Sequence, residues 1–127
     1  MVAEDETGIA VPLPDTLLLL NSNDRHNRWR YNTLFQAIKM AAYITARNHK
    51  VPHFQRITFV GLLNVPDNRH RDPHNWQDSA KAAIDGLVKV GVIPDDDSEH
   101  LLDFSMRAGE TSSPRLSPTL VITPVAE

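Results

Sequence analysis

Apolar and polar positions along the chain predict an alternation of strands and helices. Residues 9–20 hold Pro12 and Pro14 and then four consecutive leucines, Leu17 to Leu20. They predict a strand, placed at a sheet edge because proline cannot donate to a ladder. Asn21-Ser22-Asn23-Asp24 is a polar loop. Residues 33–47 place Leu34, Ile38, Ala41 and Ala42 near a 3.6-residue period with no internal Gly or Pro, which predicts a helix capped by Asn32. Arg47 and Lys50 suit the negative end of its dipole, and Pro52 prevents continuation. Residues 56–65 are rich in Ile, Phe, Val and Leu and predict a strand buried on both faces over part of its length.

A loop over residues 66–71 leads to the clearest local signal. Asp72 is a good N-cap and Pro73 occupies the favoured first helical position. Trp76, Ala80, Ala83, Ile84 and Leu87 form an apolar stripe, and the same spacing places His74, Asp78, Lys81 and Asp85 on one polar face. Gly91 stops this second helix and Pro94 lies beyond it. Asp95-Asp96-Asp97-Ser98 is a turn, residues 100–106 a short strand, 109–113 a turn, and 119–125 a closing strand. The predicted fold class is α+β: a small mixed β-sheet with two main helices packed on it. No Gly-rich loop joins a strand to a helix, which excludes a dinucleotide fold.

The 127 residues suit one domain, 41% hydrophobic and 23% charged,. Residues 1–7 are acidic and without aromatics and are expected to be flexible; residues 8–127 form the domain. No apolar run approaches a membrane span, and Glu4, Asp5 and Glu6 stand where a secretory signal has basic residues. The absence of cysteine excludes disulfides, thiolate metal sites and cysteine catalysis,. These features predict a cytoplasmic protein with no membrane partner.

The net charge of −3 conceals an uneven distribution. Between Asn23 and Arg71, the basic residues Arg25, Arg28, Arg30, Lys39, Arg47, Lys50, Arg56, Arg69 and Arg71 face only Asp24 and Asp67. Between Asp72 and Glu110 the balance reverses: nine acidic residues, among them Asp72 and Asp95 to Asp97, face Lys81, Lys89 and Arg107. A basic half neutralises phosphates and an acidic half holds hard cations; the alternative is two surfaces whose charges pair in the fold.

Two acidic positions stand out, Asp72 before the second helix and Asp95-Asp96-Asp97 after it. About 18 helical residues, roughly 27 Å, separate them. They meet only if the chain after Gly91 folds back or a second subunit completes the site. Asp72 also reads as a plain N-cap, and the three aspartates as a solvated turn. An EF-hand is excluded by the missing glycine at loop position six and by Met106 at position twelve. Trp29 and Tyr31 are candidates for base stacking or for simple packing. No Gly-x-Ser-x-Gly motif or Walker loop occurs.

Three segments together resemble one known family. Arg69-His70-Arg71-Asp72-Pro73-His74-Asn75, then Lys81-Ala82-Ala83-Ile84-Asp85-Gly86-Leu87, then Gly91-Val92-Ile93-Pro94-Asp95-Asp96-Asp97 resemble the RusA-type Holliday junction resolvases, a family often encoded by phages. Asn21-Ser22-Asn23 resembles that family's asparagine-rich loop after the first strand.

The resemblance implies a homodimeric, Mg2+-dependent endonuclease (Mn2+ as substitute) that nicks branched, four-way DNA. It implies Asp72, Asp96 and Lys81 as catalytic residues, with Asp72, His74, Asp95 and Asp96 around the metal. His74 stands where the family has a second carboxylate, which lowers the site's negative charge. Asn23, Arg25, Arg28, Arg30, Arg69 and Arg71 are the expected DNA contacts. The alternatives are a relative that binds junctions without cutting them and a small protein-interaction domain.

Overall fold

The computed structural model describes residues 8–69 and 71–126. The expected flexible segment 1–7 and His70 lie outside the described residues. The elements in chain order are β1 (Ile9–Pro12), a 3₁₀ turn (Ser22–His26), α1 (Arg28–Asn48), β2 (Ile57–Asn64), a second 3₁₀ turn (Pro73–Trp76), α2 (Gln77–Val90), β3 (Leu101–Ala108) and β4 (Ser117–Pro124). This is the α+β class predicted, a four-stranded mixed sheet carrying two helices.

The sheet order is β1-β4-β2-β3. β4 pairs antiparallel with both β1 and β2, whereas β2 and β3 are parallel. β1, β2 and β3 therefore share one direction, and β4 runs against them. Two crossovers, β1-α1-β2 and β2-α2-β3, carry the chain back between parallel strands, as such strands require. Their helices are parallel to each other. Arg25, just before α1, pairs with Asp78 in the first turn of α2. Further along, Lys89 near the end of α2 lies 5.8 Å from the Tyr43 ring of α1.

Where the helices touch, the residues are small. A Cβ on Gly86 would lie 2.3 Å from the Lys39 carbonyl oxygen and 3.0 Å from the Ala42 Cβ. Leu34, Ile38, Ala42 and Ala46 of α1 and Ala80, Ala83, Ile84 and Leu87 of α2 are buried. They pack over Val11, Ile57, Phe59, Leu63, Leu120 and Ile122, which point to one face of the sheet.

Among the described residues, the opposite face carries no helix. There Thr58, Val60 and Leu62 of β2 lie beside Thr123, Val121 and Thr119 of β4, and Asp103, Ser105 and Arg107 flank them on β3. The β2 residues alternate buried and half-buried. β2 is thus covered on one side only, not on both as its composition predicts.

Four expected boundaries move, and the first is the start of the second helix: Asp72 and Pro73 open a 3₁₀ turn, and α2 begins at Gln77. The strand predicted over 9–20 stops at Pro12: Leu13 still donates its N–H to the Pro118 carbonyl of β4, whereas Leu20 is buried in the core without joining the ladder. The edge placement is correct. The loop at residues 21–24 is the start of a 3₁₀ turn, in which Asn21 and Asp24 form a capping box,. α1 begins five residues before the predicted 33, because Asn27, not Asn32, caps it; the Asn27 Oδ1 accepts from the Arg30 N–H at 3.1 Å. Residues 28–32 lack apolar periodicity, so only the cap marks them as helical.

Candidate nucleic-acid and metal site

The end of the sheet where β1, β2 and β3 finish gathers most of the predicted site. The 3₁₀ turn after β1 touches the one that precedes α2. The parallel helices bring both their N-termini here, and with them the positive ends of two helix dipoles. Asp72 caps the second turn: its Oδ1 accepts from the His74 backbone N–H at 3.1 Å and lies 3.1 Å from the His74 Nδ1. Both side chains are largely open to solvent, and the second imidazole nitrogen is not engaged by Asp72.

The arginines at this end are mostly paired. Arg25 Nε and Nη2 donate to the Asp78 carboxylate at 2.7 and 2.9 Å. Arg30 Nε donates to Asp24 Oδ1 at 2.9 Å. Arg69 and Arg71 converge on Asp67. Arg28 and Lys81 are exposed, and no ion pair forms at either among the described residues. The two halves of opposite charge therefore neutralise each other in part. Asn23 is exposed, and its backbone N–H donates to Asn21 Oδ1.

Asp78 departs from its predicted place on a polar face. Its side chain is only 10% exposed. The hydrogen bonds from Arg25 hold its carboxyl below the ordinary range despite burial, aided by the Tyr31 hydroxyl and the charge of Lys81. Burial and the Asp78 charge push the Tyr31 hydroxyl up. Asp67 is held low by the Arg69 N–H and the Arg71 guanidinium. Burial opposes ionisation of Asp24, but the Asn21 N–H and Arg30 outweigh it.

Ser79, absent from the sequence-based candidates, fixes this end of the fold. Its Oγ donates to the Leu20 carbonyl at 2.6 Å and accepts from the Leu20 N–H at 2.8 Å. One hydroxyl thus satisfies both backbone groups of a buried residue that has left the ladder. Trp29, for which packing is one of two readings, projects into solvent at 78% exposure. Tyr31 is half-buried and stacks on Phe35 with ring centroids 6.0 Å apart.

Asp95 to Asp97 occupy the opposite end. The segment after α2 hydrogen-bonds to the start of β2, with Phe54 N–H donating to the Val92 carbonyl and Ile57 N–H to the His100 carbonyl. At the far end of β2, Val65 N–H donates to the Glu110 carbonyl. Asp72 follows that far end, so the length of α2 stands between Asp72 and Asp95–Asp97, about 21 Å for its 14 residues,. The chain after Gly91 folds back far enough for Asp96 to feel Asp85, but Asp72 is not among the groups that perturb it. The Asp96 carboxyl is pushed above its ordinary value, first by partial loss of surrounding water, then by the Asp95 carboxyl and the charge of Asp85.

The convergence of Asp72 with Asp95 and Asp96 on one cation is therefore not met within a single chain. Among the described residues, no three His, Asp or Glu side chains are placed to ligate one ion. Magnesium needs only one or two carboxylates, since it keeps water and phosphate oxygens as its other ligands. Nearby negative charge from Asp95 and Asp85 disfavours ionisation of Asp96,. No helix among the described residues is long and apolar enough to cross a membrane. No protein-family model matches the chain, and no curated protein matches it.

Proposed function

We propose that this chain is a divalent-metal-dependent, structure-selective endodeoxyribonuclease that nicks four-way DNA junctions as a homodimer, in the cytoplasm of a bacterium or phage-infected cell. The observation that carries the reading is the end of the sheet around Asp72. There two helices begin, the cations Arg28 and Lys81 are exposed, and the Asp72 carboxylate is accessible. A polyanion is favoured at such an end, and phosphate contacts of this kind position a duplex without reading its bases.

Each residue has a distinct role in this proposal. Asp72, oriented by the His74 N–H, is the carboxylate presented to the scissile phosphate. Lys81 offsets charge that develops on the phosphoryl oxygens. Asp78 positions Arg25. The Asp72–His74 pair would hold the cation at the scissile phosphate, and Asp95 and Asp96, at the other end of α2, would hold a separate one,. Magnesium or manganese, when bound, supplies an activated water and neutralises negative charge in the transition state.

The separation of Asp72 from Asp96 within the chain favours one second reading, a relative that binds junctions without cutting them. Labelled four-way DNA with magnesium or manganese separates the two. Symmetric nicks are expected from the wild type, and Asp72→Asn should lower the rate by about 10²–10³-fold while leaving binding intact. Junction binding with no nicks under either metal would establish the second reading. No affinity for branched DNA at low salt would overturn both.

A further inference from the structure

Both crossover helices lie on one side of the sheet, and the other side has no layer over it among the described residues. A β-sheet with one apolar face buries that face and leaves a polar one wet. Here the uncovered face is not polar at its centre. Val60 and Val121 are register partners in the middle of the sheet, and Leu62 lies next along β2. All three are half-buried without a covering element. Among the described residues, Asp103 and Arg107 lie at the β3 margin of this face, pointing the same way as Ser105 between them, and Glu110 borders the depression beside Leu62 and Thr119.

We infer that this uncovered sheet face is the surface on which a second copy of the chain docks, face to face about a twofold axis that passes near Ser105 and runs across the strands.

The argument for a second copy is self-complementarity. Asp103 and Arg107 are four residues apart on one strand face, about 13 Å. An axis lying between the sheets and perpendicular to the strands places β3 over the partner's β3 in the opposite direction. Each Asp103 then faces an Arg107 across the interface, and the two valine pairs stack at the centre. An isologous contact demands this pairing of a patch with itself.

Area supports the same occupant. Four strands about 4.8 Å apart and up to eight residues long present a face of roughly 500 Å² in plan. Two such faces bury about 1,000 Å², the size at which specific interfaces begin. Aligned sheets pack about 10 Å apart, a distance these Val, Leu and Thr side chains fill. DNA is a poor occupant: Arg107 is the only cation named on this face, and Asp103 opposes it. A rival self-association surface exists on the outer side of α1, where Trp29, Met40 and Ile44 are exposed. Trp29 lies about 16 Å along the helix from Met40, so these residues do not form a continuous patch.

The dimer expected from the resemblance gains a specific surface in this inference, but the inference does not depend on nuclease activity. The test is made on the whole chain without DNA or metal, by sedimentation velocity and by light scattering behind size exclusion. A dimer is expected. Val60→Glu should convert it to a monomer of unchanged circular dichroism. Asp103→Arg alone should weaken the dimer about tenfold or more, and Asp103→Arg combined with Arg107→Asp should restore it. Both charged side chains are exposed, so this pair tests the interface even if Val60→Glu fails to fold.

Met40→Glu, on the rival surface, should leave the dimer intact, as should Asp72→Asn. A wild type that stays monomeric at every concentration, a dimer lost in Met40→Glu but kept in Asp103→Arg, or a double charge swap no better than the single one would each overturn the inference.

Discussion

Ser79 and Asp78 are adjacent residues that solve two different burial problems at the start of α2. Ser79 replaces a ladder partner for Leu20, so Ser79→Ala leaves a buried N–H and a buried carbonyl unpaired. A loss of about 2 kcal/mol is expected, measurable by urea denaturation, and larger than for a surface Ser→Ala. Asp78 and Asp96 give opposite pH signatures. Asp78 has a folded-state pKa below its ordinary 3.8. Its contribution is present above that value and lost as pH falls through the folded pKa. Asp96 has a folded-state pKa above 3.8, so the folded state is relatively favoured below that value and this advantage is lost as pH rises through the folded pKa,. Melting curves at several pH values should therefore show Asp78→Asn destabilised at neutral pH and converging with the wild type in acid. Asp96→Asn should melt above the wild type at neutral pH, with the gap closing near pH 4. A melting gain for Asp96→Asn that does not vary with pH would remove electrostatic repulsion as its cause. None of these roles was visible in the sequence. A helical period identifies the faces of α2, but it does not reveal that an arginine from another segment reaches over Asp78, or that a chain leaving the sheet needs the Ser79 hydroxyl.

At the scale of elements, the two helices end in the same way with different residues. In α2, Val92 N–H donates to the Leu87 carbonyl and Gly91 N–H to that of Val88, with Gly91 at φ 93°. In α1, Val51 N–H donates to the Ala46 carbonyl and Lys50 N–H to that of Arg47, with Lys50 at φ 56°. Both are Schellman closures, and only the second forces a side chain into the left-handed region. Lys50→Gly should stabilise the protein by about 0.5–1 kcal/mol, read as a rise in melting temperature. A fall would mean that the lysine side chain contributes more than its backbone strain costs. This contrast explains which boundaries were legible. Gly91 identifies the end of the second helix from local chemistry alone, whereas Asp72 and Pro73 open a 3₁₀ turn that precedes the start of α2 at Gln77. The end of α1 lacks a glycine, and its start is signalled only by Asn27, seven residues ahead of Leu34, the first of the apolar stripe. The leucines of residues 17–20 mislead in another way: apolar residues that fill the core from an irregular segment look like a strand until their ladder partners are sought.

At the scale of the molecule, charges far apart in sequence meet because the helices are parallel. Asp78 comes back to Arg25, whereas Arg30, Arg69 and Arg71 find nearby acids. The basic and acidic halves read from the sequence are thus partly cancelled, with Arg28 and Lys81 left as the clearest open cations around Asp72. Junction binding should accordingly weaken less with salt than a count of arginines predicts. A slope of log affinity against log salt near −2 to −3 is expected, instead of the roughly −4.5 of five engaged arginines. Titration of labelled junctions across a salt series reads this directly. The candidate site was legible as residue types and spacing, but not as one place. Asp72 and Asp96 were to meet only if the chain after Gly91 folded back or a second subunit completed the site, and α2 holds them at its opposite ends within one chain.

The position of β4 has a bearing on synthesis. Among the described residues it is the last strand in sequence, yet it lies between β1 and β2 and alone pairs with β1. A nascent chain emerging from the ribosome can pair β2 with β3 and settle α2 on them, but its first strand must wait, unpaired, until residues 117–124 have been made. Closure of the sheet is therefore a late event that joins the two extremes of the described chain. Until then the hydrogen-bonding edges of β1 and β2 stay open to wrong partners, the interval in which a chaperone would matter most.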